Sequence, residues 1–235
     1  MLFVHETHTV SGAREEDFEA AFRDGWIPAA AASDARLLWF LHQAHGTGPA
    51  YTVVTVTAVP SADSWRDLTR RLTAGNLRPW VAEVDALRVD LVSKILIQVE
   101  WSPFQELDLD TVPAEPQDHD PAIFMEDTAW PHQGKTEDYL ALAGTKYVET
   151  LRKSAEAGHN LLDLEAVFRP AWGTGRHREI ILWQRVAKPE ALLPLLSSEV
   201  PPEYRGPGTW MHDALDVRDR WESRLLRTSS WSPLP

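Results

Sequence analysis

The feature that most constrains this chain is an internal repeat. The second half matches the first in order, at an offset that begins at 121 residues and grows to 130. Gly-Thr-Gly occurs at 46–48 and 173–175, and Trp-Ser-Pro occurs at 101–103 and 231–233. Matches that keep their order indicate a tandem duplication with small insertions in the second copy. Further matched pairs are Phe3 with Phe124, Glu6 with Asp127, Thr7 with Thr128, Trp26 with Tyr147, Trp80 with Trp210, Arg88 with Arg218 and Ser93 with Ser223.

Each copy has a hydrophobic pattern that predicts the order β-α-β-β-α-β. Strands are rich in β-branched and aromatic residues, and each helix of the first copy begins at a serine N-cap, Ser11 or Ser61. The first copy is predicted to contain a strand at 2–9, a helix at 11–33, a hairpin at 35–59, a helix at 61–75 and a strand at 87–101. The second is predicted to contain strands at 122–128, 160–168, 178–186 and 222–231 and helices at 135–157 and 188–199.

This order is typical of a ferredoxin-like unit, in which two helices cover one face of a four-stranded antiparallel sheet. The other face must also be covered, because the segments 51–56 (YTVVTV) and 94–101 (KILIQVEW) are largely apolar on both faces. The duplication supplies a second sheet. We therefore predict an α+β fold in which two tandem units, residues 1–104 and 121–235, form one eight-stranded barrel with helices outside. The acidic, proline-rich residues 105–120 are predicted to be a surface linker.

Composition excludes several function classes. A net charge of −12 is unfavourable for binding nucleic acid or an anionic membrane. Disulfides and thiolate metal sites are excluded because the chain has no cysteine. No apolar run reaches the ~20 residues of a membrane span, and the N-terminus does not resemble a secretory signal, so a cytoplasmic location is expected. There is no phosphate-binding loop or dinucleotide fingerprint, so no nucleotide cofactor is expected.

The candidate catalytic residues lie on the first strand of each copy. The segment Val4–His8 (VHETH) places His5 and Thr7 on one face of its strand and Glu6 and His8 on the other. The matched strand carries Glu126 and Asp127. A buried carboxylate or imidazole needs a partner, and such pairs shift pKa values toward general acid or base use. His5, Glu6, Glu126 and Asp127 are therefore the catalytic candidates. The alternative is a polar network that only ties central strands together.

The chain resembles the NIPSNAP-type members of the dimeric α/β-barrel superfamily. The resemblance rests on the HGTG turn (45–48) that leads into the strand YTVVTVTAV, and on the last strand closing on WSPF (101–104), and it covers nearly the whole chain, once per half. It implies barrels that include cofactor-free oxygenases, haem enzymes, cyclases, isomerases and proteins without known chemistry. Most such domains pair as dimers, whereas this chain carries both halves, so a monomeric pseudo-dimer or a homodimer is expected.

Several other residues are candidates for binding. His42 and His45 precede the glycine turn and are predicted to line a pocket rim or to lie on the surface. The resemblance also implies that haem could be held on one axial histidine, for which His42, His159, His177 and His212 are equally eligible. Trp39 and Trp183 are candidates for aromatic walls around a flat, apolar ligand. No metal site is predicted.

Two classes of function follow. The first is an enzyme without a nucleotide cofactor, of the oxygenase, cyclase or isomerase type, that acts by acid/base chemistry on a hydrophobic, polyketide-like small molecule inside the barrel. The second is a non-catalytic protein that binds a ligand or a partner. A polar, water-excluding pocket would favour the enzyme, and an interior packed with Leu, Ile and Trp would favour the second class.

Overall fold

A computed structural model of the chain describes residues 1–105, 107–176 and 178–235. The strands form one closed antiparallel barrel in the order β1-β3-β2-β8-β5-β7-β6-β4. Each half contributes one four-stranded ferredoxin-like sheet, and the two sheets join where β2 pairs with β8 and β4 with β6. The predicted α+β barrel is thus confirmed. The strands are β1 (Leu2–Val10), β2 (Arg36–Gln43), β3 (Thr52–Val59), β4 (Arg88–Gln98), β5 (Ile123–Pro131), β6 (Leu162–Pro170), β7 (Ile180–Val186) and β8 (Arg218–Thr228).

The helices lie outside the barrel. In the first half they are α1 (Glu15–Ala20), α2 (Ile27–Ala31), α3 (Ala62–Ala74) and α4 (Arg78–Leu87), and in the second half α5 (Thr136–Leu142), α6 (Val148–Glu156), α7 (Leu192–Ser197) and α8 (Trp210–Asp213). One π-helical turn joins α1 to α2 (Ala21–Trp26), and another joins α5 to α6 (Ala143–Tyr147). None of the helices in the described residues could cross a lipid bilayer.

The helix termini differ in part from the sequence prediction. The backbone enters α1 at Arg14, without a side-chain cap, so the prediction of Ser11 as N-cap is wrong. Ser61 does cap α3, because its hydroxyl accepts a hydrogen bond from the Ser64 backbone N–H at 3.0 Å. The helix predicted at 188–199 is a 3₁₀ turn (Pro189–Ala191) followed by the short α7, since two prolines interrupt helical hydrogen bonding there.

The repeated Trp-Ser-Pro segments hold the two halves together. Trp231 follows the last strand of the second half, yet it packs on the helix layer of the first half. Trp101 follows the last strand of the first half and packs with the second-half helices, against Gly144. The two serines make equivalent crossed bonds: Ser102 Oγ accepts from the Val167 backbone N–H at 3.0 Å, and Ser232 Oγ accepts from that of Phe40 at 3.1 Å. Each half therefore contributes one tryptophan and one serine to the structure of the other half.

Apolar side chains from both sheets fill the middle of the barrel. Phe3, Trp39, Phe124, Phe168 and Trp183 are all buried there in one cluster. The segment between the halves closes one end of the barrel: Val112 is buried in this cluster, and Phe104, Leu107 and Leu109 pack against it. The predicted linker therefore also contributes side chains to the core, and among its described residues the longest exposed run is 114–118.

Candidate functional site

Strand β1 presents candidate residues to two different compartments. Its partners across the sheet put His5 on the same face as Phe3, toward the barrel interior. Glu6 and His8 face outward, beneath the helices, where His8 contacts Phe18 and Phe22. The matched strand β5 behaves in the same way, with Glu126 inside the barrel and Asp127 outside. The candidate residues are therefore divided between the barrel interior and the space beneath the helices.

The interior pair is His5 with Glu126. The His5 Nε2 atom lies 3.3 Å from Glu126 Oε2, and both side chains are 1% exposed. Arg224, directly opposite Glu126 in the sheet, donates to both carboxylate oxygens at 2.7 and 2.8 Å. Since Nε2 faces a carboxylate, it carries the proton and His5 Nδ1 is left as an acceptor. That buried Nδ1 has no hydrogen-bond partner among the described residues.

Burial and charge set the protonation of this pair. Burial lowers the pKa of His5, and Glu126 only partly offsets the effect, so His5 is neutral near pH 7. Burial alone would raise the pKa of Glu126, but the Arg224 guanidinium and His5 outweigh it and hold that pKa well below its usual range. Glu126 is therefore a fixed carboxylate that orients a neutral imidazole.

A cavity of about 440 Å³ lies at the open end of the barrel, above this pair. We call it the barrel-mouth cavity; its walls include Thr7, Lys94, Glu126, Thr128, Arg176, Glu179, Glu222 and Arg224. Lys94 is paired with His5 across the sheet, and its Nζ donates to Glu179 Oε1 at 2.6 Å. Lys94 and Glu179 are 11% and 5% exposed. The mouth therefore holds two ion pairs that are largely shielded from water.

The aromatic binding candidates are part of the packed interior. Trp39 and Trp183 are 2% and 0% exposed, and their ring centroids are 5.2 Å apart. Because these rings fill the middle of the barrel with Phe3 and Phe124, no space of ligand size remains between them. The expectation that a hydrophobic substrate lies between Trp39 and Trp183 in the barrel interior is therefore corrected.

A second cavity, of about 430 Å³, lies between the sheet and helices α3 and α4 of the first half. We call it the helix–sheet cavity. Three tryptophans line it: Trp26, Trp65 and Trp80. Trp26 stacks on Trp80 with ring centroids 4.8 Å apart, and Trp80 Nε1 is fixed by a hydrogen bond to the Ala21 carbonyl at 2.9 Å. These rings provide a flat apolar wall.

Glu6 supplies a carboxyl group to this cavity, and Arg88 also lines it. Burial raises the pKa of Glu6, and the Arg88 guanidinium and the Thr55 hydroxyl offset this only in part. Arg88 also donates to His8 Nδ1 at 3.0 Å, and His8 Nε2 lies 3.1 Å from Thr55 Oγ1. Burial and then Arg88 lower the pKa of His8 to about 3, so His8 is neutral. Glu6 is thus the titratable group of the cavity.

Asp127 occupies the matching place in the second half, in a different environment. It accepts hydrogen bonds from Gln184 Nε2, at 3.0 Å, and from the Ser223 hydroxyl. Gln184 in turn accepts from the Tyr147 hydroxyl. Burial raises the pKa of Asp127. The space under the helices is filled here by Tyr139, Tyr147 and Trp210, so Asp127 belongs to a side-chain network and lines none of the cavities described above.

The histidines proposed for binding lie elsewhere. His42 Nε2 is 2.7 Å from Glu19 Oε1 on the first-half helix, whereas His45 is exposed in the loop that turns at Gly46 (φ 79°). An axial haem ligand must face a cavity, and His42, His45, His159 and His212 line neither cavity. His177 lies outside the described residues. These side chains do not fit haem, and the described residues contain no cluster of metal-ligating groups.

Sequence reasoning missed the cations that define both cavities. Arg88 was visible as a repeat position matched with Arg218, but nothing in the pattern placed it beside Glu6. Lys94 and Arg224 are also separated by 130 residues, so the repeat offset could have paired them. Glu179 carried no signal, because its role depends on the contact with Lys94, which is 85 residues away in the sequence.

Comparisons with known proteins agree on the fold. No family model matches the chain, and no curated protein matches it. A proposed monooxygenase from Lactobacillus acidophilus is similar in structure, with a TM-score of 0.57, 10% identity, and 99% of this chain and 97% of that chain covered. An anthrone oxidase-like protein gives a TM-score of 0.57 at 6% identity, covering 97% and 91%.

A NIPSNAP domain protein from Burkholderia xenovorans matches one half, at 18% identity and a TM-score of 0.36, covering 43% of this chain and 96% of that one. The two full-length matches come from proteins less than 25% identical, so they identify a shared fold. The chain has the dimeric α/β-barrel fold that the resemblance implied, with both units in one polypeptide.

Proposed function

We propose that this chain is a small-molecule enzyme that binds an apolar, aromatic compound in the helix–sheet cavity and removes a proton from it with Glu6. The observation that supports this most strongly is the combination of a tryptophan-lined space of about 430 Å³ with one carboxyl group of raised pKa. Pockets of this size bind small molecules mainly through apolar walls, with a few polar groups that fix orientation.

The chemistry follows from the positions of the charged groups. A carboxylate whose pKa is raised toward the working pH is a stronger base than an ordinary glutamate. Removing a proton next to a carbonyl or from a phenol leaves an anion, and Arg88, which also lines the cavity, stabilises that charge. Trp26 and Trp80 hold the ring system in place. The proton passes to Glu6, and no nucleotide is needed for this step.

The name of one structural neighbour, the anthrone oxidase-like protein, suggests the first substrate to test. An electron-rich anion of this kind reacts with molecular oxygen, and anthrone provides a balanced example: anthrone and O₂ give anthraquinone and water. The C–H proton goes to Glu6, the carbon is oxidised, and oxygen is the oxidant. The rate should be measured as oxygen consumption and as the absorbance of anthraquinone, with the spontaneous reaction subtracted.

The decisive variant is Glu6→Gln, which keeps volume and hydrogen bonding. We expect turnover to fall by on the order of 10²-fold or more, the usual scale for losing a general base. Asp127→Asn is the matched control, because it changes the equivalent carboxyl in the half where Tyr139, Tyr147 and Trp210 fill the space, and it should leave turnover within about twofold. Full activity in Glu6→Gln would overturn the proposal.

Two further outcomes are informative in the same experiment. Quenching of tryptophan fluorescence by anthrone without any turnover would indicate a binding protein and contradict the enzyme proposal. A Soret band in the absorbance spectrum of the purified protein would direct the assignment to haem chemistry instead.

A further inference from the structure

Four polar side chains lie in a row beneath the first-half helices, and the proposed function uses only the two at its ends. They are Arg88, His8, Thr55 and Glu6, and we call them the hydrogen-bond chain. His8 and Thr55, in the middle, are both 0% exposed. His8 and Glu6 project from the same face of β1 because they are two residues apart, and Thr55 is directly opposite Glu6 in β3.

Arg88 fixes the direction of the hydrogen bonds in this chain. Its Nη1 donates to His8 Nδ1 at 3.0 Å, and a guanidinium group cannot accept a hydrogen bond. Burial and then Arg88 lower the pKa of His8 to about 3, so the ring is neutral and its one proton is on Nε2. Nε2 lies 3.1 Å from Thr55 Oγ1 and therefore donates to it. The hydroxyl proton of Thr55 is left for a further acceptor.

Glu6 is that acceptor. It is directly opposite Thr55, and the Thr55 hydroxyl lowers the pKa of Glu6 against the larger effect of burial. A donor whose direction is fixed favours the carboxylate over the neutral acid. The other charged groups that line the cavity are Arg78, at the start of α4, and Arg88. Arg88 is itself held by Asp85, whose Oδ1 accepts from Arg88 Nε at 3.1 Å.

The second half keeps the carboxyl group and lacks the chain. Asp127 matches Glu6, but Leu182 is directly opposite it in the sheet, and Ala129 stands at the position that matches His8. Polar residues needed only to pair the first and third strands of each unit would be expected in both halves. They occur in the half that contains the helix–sheet cavity, which associates them with that cavity.

We propose that His8 and Thr55 are positioning residues, which orient the Glu6 carboxylate and favour its ionised form. The Thr55 hydroxyl donates to one carboxylate oxygen of Glu6. The other oxygen is left to take a proton from the bound substrate. This role rests on the function proposed for Glu6, but the chain itself can be tested without measuring activity.

The tautomer of His8 can be read in the wild-type protein. Nitrogen-15 NMR of histidine-labelled protein, with the His8 signals identified by their loss in His8→Phe, should show the proton on Nε2 and no titration between about pH 5 and pH 8. A proton on Nδ1 would overturn the proposal, because two donors would then face each other at Arg88. A doubly protonated ring in this pH range would overturn it as well.

The pKa of Glu6 gives the second test, by carbon-13 NMR of its carboxyl carbon, identified by its loss in Glu6→Gln. Thr55→Val should raise this pKa above the wild-type value, and Thr55→Ser, which keeps the hydroxyl, should leave it near that value. Thr52→Val is the matched control: it is the same substitution in β3, where the hydroxyl donates to the Pro49 carbonyl at 3.0 Å, and it should change nothing. An unchanged pKa in Thr55→Val would overturn the chain.

Turnover of anthrone should show the same shift. A base must be ionised to act, so Thr55→Val should lower turnover by on the order of tenfold on the acidic side of the pH profile, and the loss should disappear as pH rises. An equal loss at every pH would indicate a structural role only and contradict the proposal. Full activity in Glu6→Gln would remove the base and leave both NMR tests in place. An unchanged Glu6 pKa in Thr55→Val, with Glu6→Gln inactive, would overturn the positioning role alone.

Discussion

Glu6 and Glu126 show how one residue type acquires two roles from its surroundings. Both carboxyl groups are removed from water, which raises the pKa of any carboxyl group. At Glu126 a guanidinium group and an imidazole contact the oxygens, and the net shift is downward. At Glu6 the Arg88 charge compensates burial less completely, and the net shift is upward. Glu126 is therefore permanently charged, and Glu6 can exchange a proton.

The opposite pKa shifts predict opposite effects of pH on stability. Because the pKa of Glu6 is raised, folded wild-type protein keeps a proton that the unfolded chain loses above pH ~4.3, and wild-type stability falls as pH rises through the interval between the two values. The melting temperature of Glu6→Gln should therefore rise relative to that of the wild type as the pH is raised from 4 to 7. Each kcal/mol corresponds to about 2–4 °C for a chain of this size.

Glu126→Gln is the matched comparison for this pH series. The pKa of Glu126 is lowered in the folded protein, so its contribution is present above pH ~4.3 and is lost as pH falls below it. The variant should be less stable than wild type at pH 7, and the difference should shrink on acidification. Thermal melts of both variants from pH 3 to pH 8 would measure this, and parallel curves for the two variants would contradict the assigned shifts.

At the scale of elements, the π-helical turns place aromatic side chains against glycine. A Cβ atom added at Gly25 would lie 2.9 Å from Trp80 Cδ1 and Nε1, and one at Gly144 would lie 2.9 Å from Trp101 Cε2 and Nε1. Both contacts are closer than carbon and indole atoms tolerate. The first helical segment of the first half can therefore approach Trp80, and that of the second half Trp101, only because a glycine faces the ring.

These two contacts make a matched pair of variants. Gly25→Ala and Gly144→Ala should each destabilise the fold by about 1–3 kcal/mol, the usual range for overpacking. Only Gly25→Ala should also weaken binding of an aromatic ligand such as anthrone, since Trp80 lines the helix–sheet cavity and Trp101 does not. Urea unfolding and fluorescence titration measure the two effects. Equal loss of affinity in both variants would show that ligand affinity depends on the stability of the fold and not on the position of Trp80.

Strand β1 shows which parts of the site the sequence could predict. Alternation separated His5 from Glu6, and the repeat matched them with Glu126 and Asp127, but neither pattern indicated which face lies inside the barrel. That choice depends on Phe3 and Phe124, which bury more apolar surface in the shared interior than Val4 or Met125 could. The helix–sheet cavity was not predicted, because its walls come from residues as distant as Glu6 and Arg88, and only tertiary packing brings them together.

At the scale of the whole molecule, the eight strands of one chain close the barrel. The strands between the halves pair over short stretches, three residues each for β2 with β8 and β4 with β6. The crossed serine bonds lie directly beside these short ladders. The Trp-Ser-Pro segments thus reinforce the weakest parts of the barrel wall.

Removing one serine hydroxyl should test this reinforcement. Ser232→Ala leaves the buried Phe40 N–H without a partner, and Ser102→Ala does the same to Val167, so each should lower the free energy of unfolding by about 1–3 kcal/mol. Ser198→Ala, at an exposed position, is the control and should be neutral. Denaturant titrations followed by circular dichroism give the values. A decrease of less than 0.5 kcal/mol in the free energy of unfolding of both variants would contradict this reinforcing role.

The crossing of Trp231 also matters while the protein is being synthesised. Its indole Nε1 donates to Glu19 Oε2 at 2.8 Å, and its ring packs on Phe40, so residue 231 completes a core begun near residue 18. On the ribosome, the first half emerges long before that tryptophan. Domains usually fold as units during translation. Until the last strand and Trp231 have been synthesised, the nascent first half has an incomplete core and an unpaired sheet edge. We therefore expect chaperones to bind it during translation.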